Sequence, residues 1–395
     1  MGEVAAPEHR AEAAVPSVTR LVSVDLLRGF VMVLMALDHV RAFLGTSGWD
    51  PTFSSAGAAT FLTRWLTHFC APVFVLLAGV AAALSLVRGR SKGELARFLF
   101  TRGIWLALLD VTLVSFAWFF RVGAPLVTDV MWVIGGSMVV LAALVRLPVP
   151  VLTIVGVVLV GGHNALDGIH AGALGRLGPL WIVLHEQGVI RLPWGGTWFV
   201  GYPLGPWVGV MALGYVLGVL VMAEPAGRRH RLVLLGAGMI AAFVLLRATN
   251  LYGDPVPWSR GATPLMTAFS FISCNKYPPS LLYLLMTLGP ALLALAALDR
   301  VRPSGRNPIL VFGVVPLFYY VLHLYLIHLA AGLAFLPRLG TVALHVDPES
   351  PPAGFGLSLG GVYVVWLLTL TAMYPLCRWF AGVKRRRRSV WLSYL

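Results

Sequence analysis

LVSVDLLRGFVMVLMALDHVRAFL (Leu21–Leu44) is long enough to cross a bilayer, yet it carries Asp25, Arg28, Asp38, His39 and Arg41. About 20 predominantly apolar residues span the hydrocarbon as a helix. An ionisable group left in that medium costs several kcal/mol unless it is paired or faces a water-filled cavity. The stretch therefore reads as a helix on the inside of a membrane bundle. Arg28 and His39 stand eleven residues apart, which puts them on nearly one stripe, roughly 16 Å apart along the axis. Met32 and Met35 fill the stripe between them. Asp25 lies a turn below Arg28, and Asp38 lies off the stripe.

The remainder of the chain has the same character. Of 395 residues, 58% are hydrophobic and 12% charged, with a mean hydropathy of +0.83; a soluble domain carries about 25% charged residues. Ten stretches have span character: Val22–Phe43, Phe61–Leu86, Phe98–Phe120, Val130–Leu147, Val149–Leu166, Phe199–Met222, Leu232–Ala248, Leu281–Leu298, Ile309–Leu333 and Leu357–Phe380. Pro179–Leu192, with His185 and Glu186, reads as a short interfacial helix. The expected fold is all-α: a polytopic bundle of about ten transmembrane helices over residues 21–380. A cytoplasmic tail (1–20) precedes it and a basic cytoplasmic tail (381–395) follows. The first tail holds Glu3, Glu8 and Glu12 and has no apolar core before a cleavage site, so the first span is expected to act as an uncleaved anchor.

The formal net charge is +14. The basic residues gather at the ends of apolar runs, which fits topology rather than nucleic-acid binding. Arg88, Arg90 and Lys92 follow the second span, Arg146 the fourth, Arg228, Arg229 and Arg231 the sixth, Arg300, Arg302 and Arg306 the eighth, and the KRRRR run Lys384–Arg388 the tenth. All fall on one side. Trp49–Ala58, on the other, has neither Lys nor Arg. Both termini are therefore expected in the cytoplasm, in a multi-pass protein of the cell's inner membrane. Cys70, Cys274 and Cys377 are far apart and read as core residues. No metal is expected, because no HxxxH or Cys/His spacing is present.

Polar residues recur inside the spans. The second brings Arg64 and His68, four residues apart on one face, with Pro72 expected to bend the helix. The third carries Arg97 and Arg102 in its inner half and Asp110 near its middle. The ninth carries Tyr319, Tyr320, His323 and His328; Tyr319 and His323 share a face, and His328 is expected at the wet outer interface. His39, His68 and His323 thus reach a similar outer depth from three helices, which suggests a shared cavity. The outer connection from Thr249 to Leu282 is read as an irregular lid or spacer, in which Lys276 either neutralises an anionic substrate or is simply solvated.

RLVSVDLLRGFVMVLMALDHVRAF, THFCAPVFVLLAG, NKYPPSLLYLLMTLGPAL, FGVVPLFYYVLHLYLIH and CRWFAGVKRRRRSVWLSYL resemble a bacterial family related to the heparan-α-glucosaminide N-acetyltransferase catalytic domain. The likeness runs along nearly the whole chain from Arg20. Arg28 and His39 also fit the arginine, ten residues, histidine pattern of family-3 membrane acyltransferases, where the histidine is the base and the arginine is linked to acyl-CoA or to structure. Where His39 stands the lysosomal enzyme has asparagine, with its histidine in the next loop. Gly45–Ala58 has none.

The resemblance implies transfer of an acyl group, acetyl in the first instance, from cytosolic acyl-CoA to an acceptor on the outer side: a sugar, a lipid or a small amine. His39 is the expected base, with His68 or Asp38 orienting or relaying. Arg28, Arg97 and Arg102 are expected near the CoA phosphates, and Arg64, Lys276, Tyr319 and His323 around the substrates. No permanently bound cofactor is expected. The bilayer is the surrounding partner, and a homo-oligomer is left open. The alternative is a transporter or exporter using the same buried groups as a relay.

Overall fold

The computed structural model describes residues 21–46, 53–121, 125–223, 225–345, 352 and 354–387. The N-terminal tail, residues 47–52 of the first loop and the end of the basic run from Arg388 lie outside them. The structure is 76% helical. Its helices are α1 (Val22–Leu44), α2 (Phe53–Thr67), α3 (Cys70–Val87), α4 (Lys92–Leu109), α5 (Ser115–Phe119), α6 (Val130–Leu144), α7 (Val149–Gly161), α8 (Gly178–Leu184), α9 (Leu204–Ala223), α10 (Arg228–Thr249), α11 (Pro264–Ile272), α12 (Leu281–Leu298), α13 (Pro308–Val314), α14 (Pro316–Leu339) and α15 (Leu359–Arg386). A π-helical turn, Asp110–Val114, joins α4 to α5.

Six helices among the described residues are long and apolar enough to cross a membrane: Gly57–Val87, Lys92–Phe119, Arg228–Thr249, Leu281–Leu298, Pro316–His345 and Leu359–Arg386. The sequence reading expects about ten. The difference has plain causes. α1 has the length, at 23 residues, but carries the charges that open the sequence. α6 and α7 have 15 and 13 residues, shorter than any of the six.

α1 runs through the bundle, packed against α2, α3, α12, α13, α14 and α15. Its crossing with α13 is a backbone contact. A β-carbon on Gly29 would sit 1.8 Å from the Ile309 carbonyl oxygen, and one on Gly313 would sit 1.9 Å from that of Asp25. Only glycine fits at either point, and the close approach is how α13 and α14 are brought onto the polar face of α1.

Four sequence expectations are corrected. The ninth span is not one helix: Pro316 has no N–H to continue the ladder, and the chain breaks at Val315 (φ −125°, ψ 52°). The second breaks at His68–Phe69, ahead of Pro72 rather than at it. Pro72 cannot donate to the His68 carbonyl, and the Tyr283 hydroxyl donates there instead at 2.7 Å. Within the Gly57–Val87 span the helical ladder is thus interrupted at His68, one turn beyond Arg64. Pro179–Leu192 divides into α8 and a strand. β1 (Leu126–Thr128), β2 (Gly188–Arg191) and β3 (Thr197–Val200) form a sheet of order β1-β3-β2, so the fold is not purely helical. β2 and β3 pair antiparallel across a turn that uses Gly195 at φ +90°. The outer connection after α10 is not irregular throughout: it holds α11, and Arg247 (1% exposed) donates to the carbonyls of Val256, Ser270, Phe271 and Ser273.

α7 ends at Gly161, so His163 lies beyond the helix in a short 3₁₀ turn. Its ring is 5.9 Å from that of His185. Burial, and next the positive charge of His185, push His163 from 6.5 down to about 4. Between those values the unfolded chain holds a proton that the folded one refuses. Stability therefore falls as pH drops through this window, by up to about 3 kcal/mol from this group. Melting of wild type and His163→Gln between pH 7 and 4 checks this: the variant should lose less. Parallel curves for the two proteins would rule it out.

Candidate active site

α1 and α14 bring two imidazoles together. His39 Nδ1 lies 2.7 Å from His323 Nε2, with the rings stacked at 4.9 Å. His323 Nδ1 is 2.8 Å from the Tyr319 carbonyl oxygen. A carbonyl only accepts, so His323 carries its proton on Nδ1, and its Nε2 is an acceptor. The hydrogen in the short contact therefore comes from His39 Nδ1. His39 Nε2 is left as the nitrogen with the free lone pair, and no described residue bonds to it. The chain carbonyl–His323–His39 fixes the ring orientation and tautomer that a base needs. The rings of Trp118 (5.4 Å) and Tyr320 (6.1 Å) meet His39 edge-on.

Asp38, the next residue, turns elsewhere. Its carboxylate accepts from Arg64 Nη1 at 2.9 and 3.0 Å, from Arg41 Nη2 at 3.2 Å and from Thr67 Oγ1 at 2.9 Å. Arg41 and Arg64 are 1% and 3% exposed. This is a buried ion cluster that joins α1 to α2. Asp38 makes no hydrogen bond to His39, the residue that it was expected to orient or relay for; its lone pairs are taken by the two guanidinium groups and Thr67. Arg64 is correspondingly committed to Asp38.

A cavity of about 680 Å³ lies along the Arg28–Met35 face of α1. One end is basic, with Arg28, Arg88, Arg90 and Arg102 beside Glu94. The wall continues through Met32 and Met35 to Tyr320, whose ring also borders both histidines. Arg90 and Arg102 both stand over the ring of Phe98, at 4.3 and 5.9 Å. Arg28 pairs with Asp25 and donates from Nε to the Gly313 carbonyl at 2.6 Å. The N-terminal residues of α14, Pro316 and Leu317, line the same cavity, so the positive end of that helix dipole adds to the arginines.

Arg97 is exposed and takes no part in the cavity lining. Tyr319 is fully buried; it serves His323 through its carbonyl, and its ring packs on Phe312 and His323. His68 sits at the α2–α3 break, edge-on to Tyr283 at 5.7 Å, and does not join the His39–His323 pair. His328 is not wet: it is 2% exposed, bonds the Ala117 carbonyl at 2.7 Å and stacks on Phe120. Lys276 is buried beside the rings of Tyr202 and Tyr277. Sequence reasoning took Arg88 and Arg90 only as topology markers and gave Tyr320 no role, although its position three residues before His323 was the available signal.

Residues 20–250, more than half of the chain, match the family described as heparan-alpha-glucosaminide N-acetyltransferase, catalytic. The matched stretch contains His39 and the arginines of the cavity, and ends before Lys276, Tyr320 and His323. No curated protein matches the chain.

Proposed function

The chain belongs to the heparan-alpha-glucosaminide N-acetyltransferase catalytic family, and from that premise we propose that it moves an acyl group, acetyl in the first instance, from cytosolic acyl-CoA to an acceptor arriving from the outer side. The single observation that carries the reading is the cavity: arginines at one end and a ring touching the histidine pair at the other. Arg88, Arg90 and Arg102 suit the phosphates of CoA, which guanidinium groups bind by paired hydrogen bonds. The methionine-lined length suits the pantetheine arm and places a thioester near Tyr320 and His39.

His39 Nε2 takes the proton from the acceptor hydroxyl or amine as its oxygen or nitrogen attacks the thioester carbonyl. His323 Nε2 stays bonded to the His39 Nδ1 proton and steadies the imidazolium. The carbon–sulfur bond breaks and the thiolate of CoA takes up the proton from His39. The products are acylated acceptor and free CoA. In this arrangement α1, α6, α7 and α9 cross together with the six long helices, with both termini and the α3–α4 turn in the cytoplasm of a bacterial inner membrane.

Membranes with and without the protein, given labelled acetyl-CoA, test the reading by the appearance of labelled product. In the same assay Arg90→Glu/Arg102→Glu should raise KM for acetyl-CoA about tenfold or more, each lost charged hydrogen bond being worth about 1.5–3 kcal/mol, and leave kcat nearly unchanged. A KM equal to wild type would remove the cavity from the donor site. No labelled product, with solute-dependent flux instead, would replace the enzyme by a transporter.

A further inference from the structure

Outside the cavity, the segment that leads into α12 is unusually well pinned. Asp254 Oδ2 accepts from the Asn275 N–H at 2.8 Å and from the Ser280 hydroxyl at 2.6 Å. Asn275 Nδ2 donates to the Pro278 carbonyl at 3.0 Å, and the Ser280 N–H to that of Asn275 at 2.9 Å. The Leu281 N–H donates to Asn164 Oδ1 at 2.8 Å. Arg247, with its four carbonyl bonds, stands 3.7 Å from Asp254 Oδ1.

What this scaffold presents is Lys276. The residue is 8% exposed. Its ammonium lies 5.0 Å from the centre of the Tyr277 ring and 6.0 Å from that of Tyr202, and the two phenol oxygens are 3.4 Å apart. Among the described residues no carboxylate comes within ion-pairing distance of this ammonium and no group accepts a hydrogen bond from it. Its charge is felt at Asp38, His39 and Asp129. Asp38 is committed to Arg41, Arg64 and Thr67. Buried ammonium groups are normally paired; one held rigidly beside two phenols, with its donors unused, is preorganised for an incoming anion.

We propose that Lys276, together with the hydroxyls of Tyr202 and Tyr277, binds an anionic group (phosphate, sulfate or carboxylate) carried by the acceptor. The word acceptor rests on the acyltransferase reading; the anion site does not.

The test uses the purified full chain in neutral detergent. Thermal protection is titrated with inorganic phosphate against chloride at equal ionic strength, because a ligand of the folded state raises its stability by mass action. Lys276→Met should raise the half-saturating phosphate concentration about 10- to 100-fold. Tyr277→Phe should raise it less. Protection by acetyl-CoA should be unchanged in both, which reports that the fold and the donor cavity are intact. Equal phosphate protection in wild type and Lys276→Met, or none in wild type, overturns the proposal. Competition between phosphate and nanodiscs of phosphatidylglycerol, but not phosphatidylcholine, assigns the anion to a lipid headgroup; no competition assigns it to a soluble acceptor, and both uphold the site. Absence of acetyl transfer alongside Lys276-dependent phosphate binding would sink the enzyme and leave the anion site standing.

Discussion

His39→Gln is expected to lower acyl transfer by about 100- to 10,000-fold, the usual contribution of a positioned base. KM for acetyl-CoA should barely change, because His39 lies beyond the arginine end of the cavity. His323 gives the sharper contrast. Its Nε2 only accepts from His39 Nδ1. A glutamine there can offer a carbonyl oxygen to the same proton, so His323→Gln should keep most of the activity that His323→Leu loses. Purified variants that still melt near the wild-type temperature are compared for kcat. Wild-type turnover in His39→Gln would dispose of the base assignment. Equal losses in His323→Gln and His323→Leu would reduce His323 to a packing residue.

The second large effect is on stability. Asp38→Ala removes the carboxylate from a cluster in which Arg41 and Arg64 are almost wholly buried. Breaking a buried ion pair by deleting one partner typically costs about 3–5 kcal/mol, because the remaining charge has no solvent to fall back on. α1 and α2 should separate more readily, seen as a marked drop in melting temperature and in the yield of monodisperse protein. Asp38→Asn keeps the acceptor oxygen and should fall between. If Asp38→Ala melts with wild type, the cluster does not hold the two helices together.

Much of the bundle was legible because burial in lipid leaves a strong local mark. A run such as Phe98–Phe120 can do little but form a helix. Arg28 and His39 could be assigned to one stripe because helical period alone decides it. Breaks were harder. Pro72 and Pro316 are visible, but whether the freed carbonyl strains the helix or finds a donor depends on Tyr283, a residue 215 positions from His68. The hairpin of β2 and β3 escaped because its apolar residues also suit a short helix, and only pairing across Pro193–Gly196 favours strands. Arg88 and Arg90 carried a topology signal that concealed their place at a cavity.

The sequence by itself determined that this is a helical membrane protein with ionisable groups turned inward, because hydropathy and period are properties of consecutive residues. With the family resemblance it put His39 forward as the base, but it could not say which of His68 and His323 the His39 ring meets. Only the tertiary structure decided that His39 meets His323, that Asp38 is spent on two arginines, and that a basic cavity leads toward the pair. The histidine pair joins residues 284 positions apart, and it needs α13 and α14 drawn against α1, where Gly29 and Gly313 let two backbones touch.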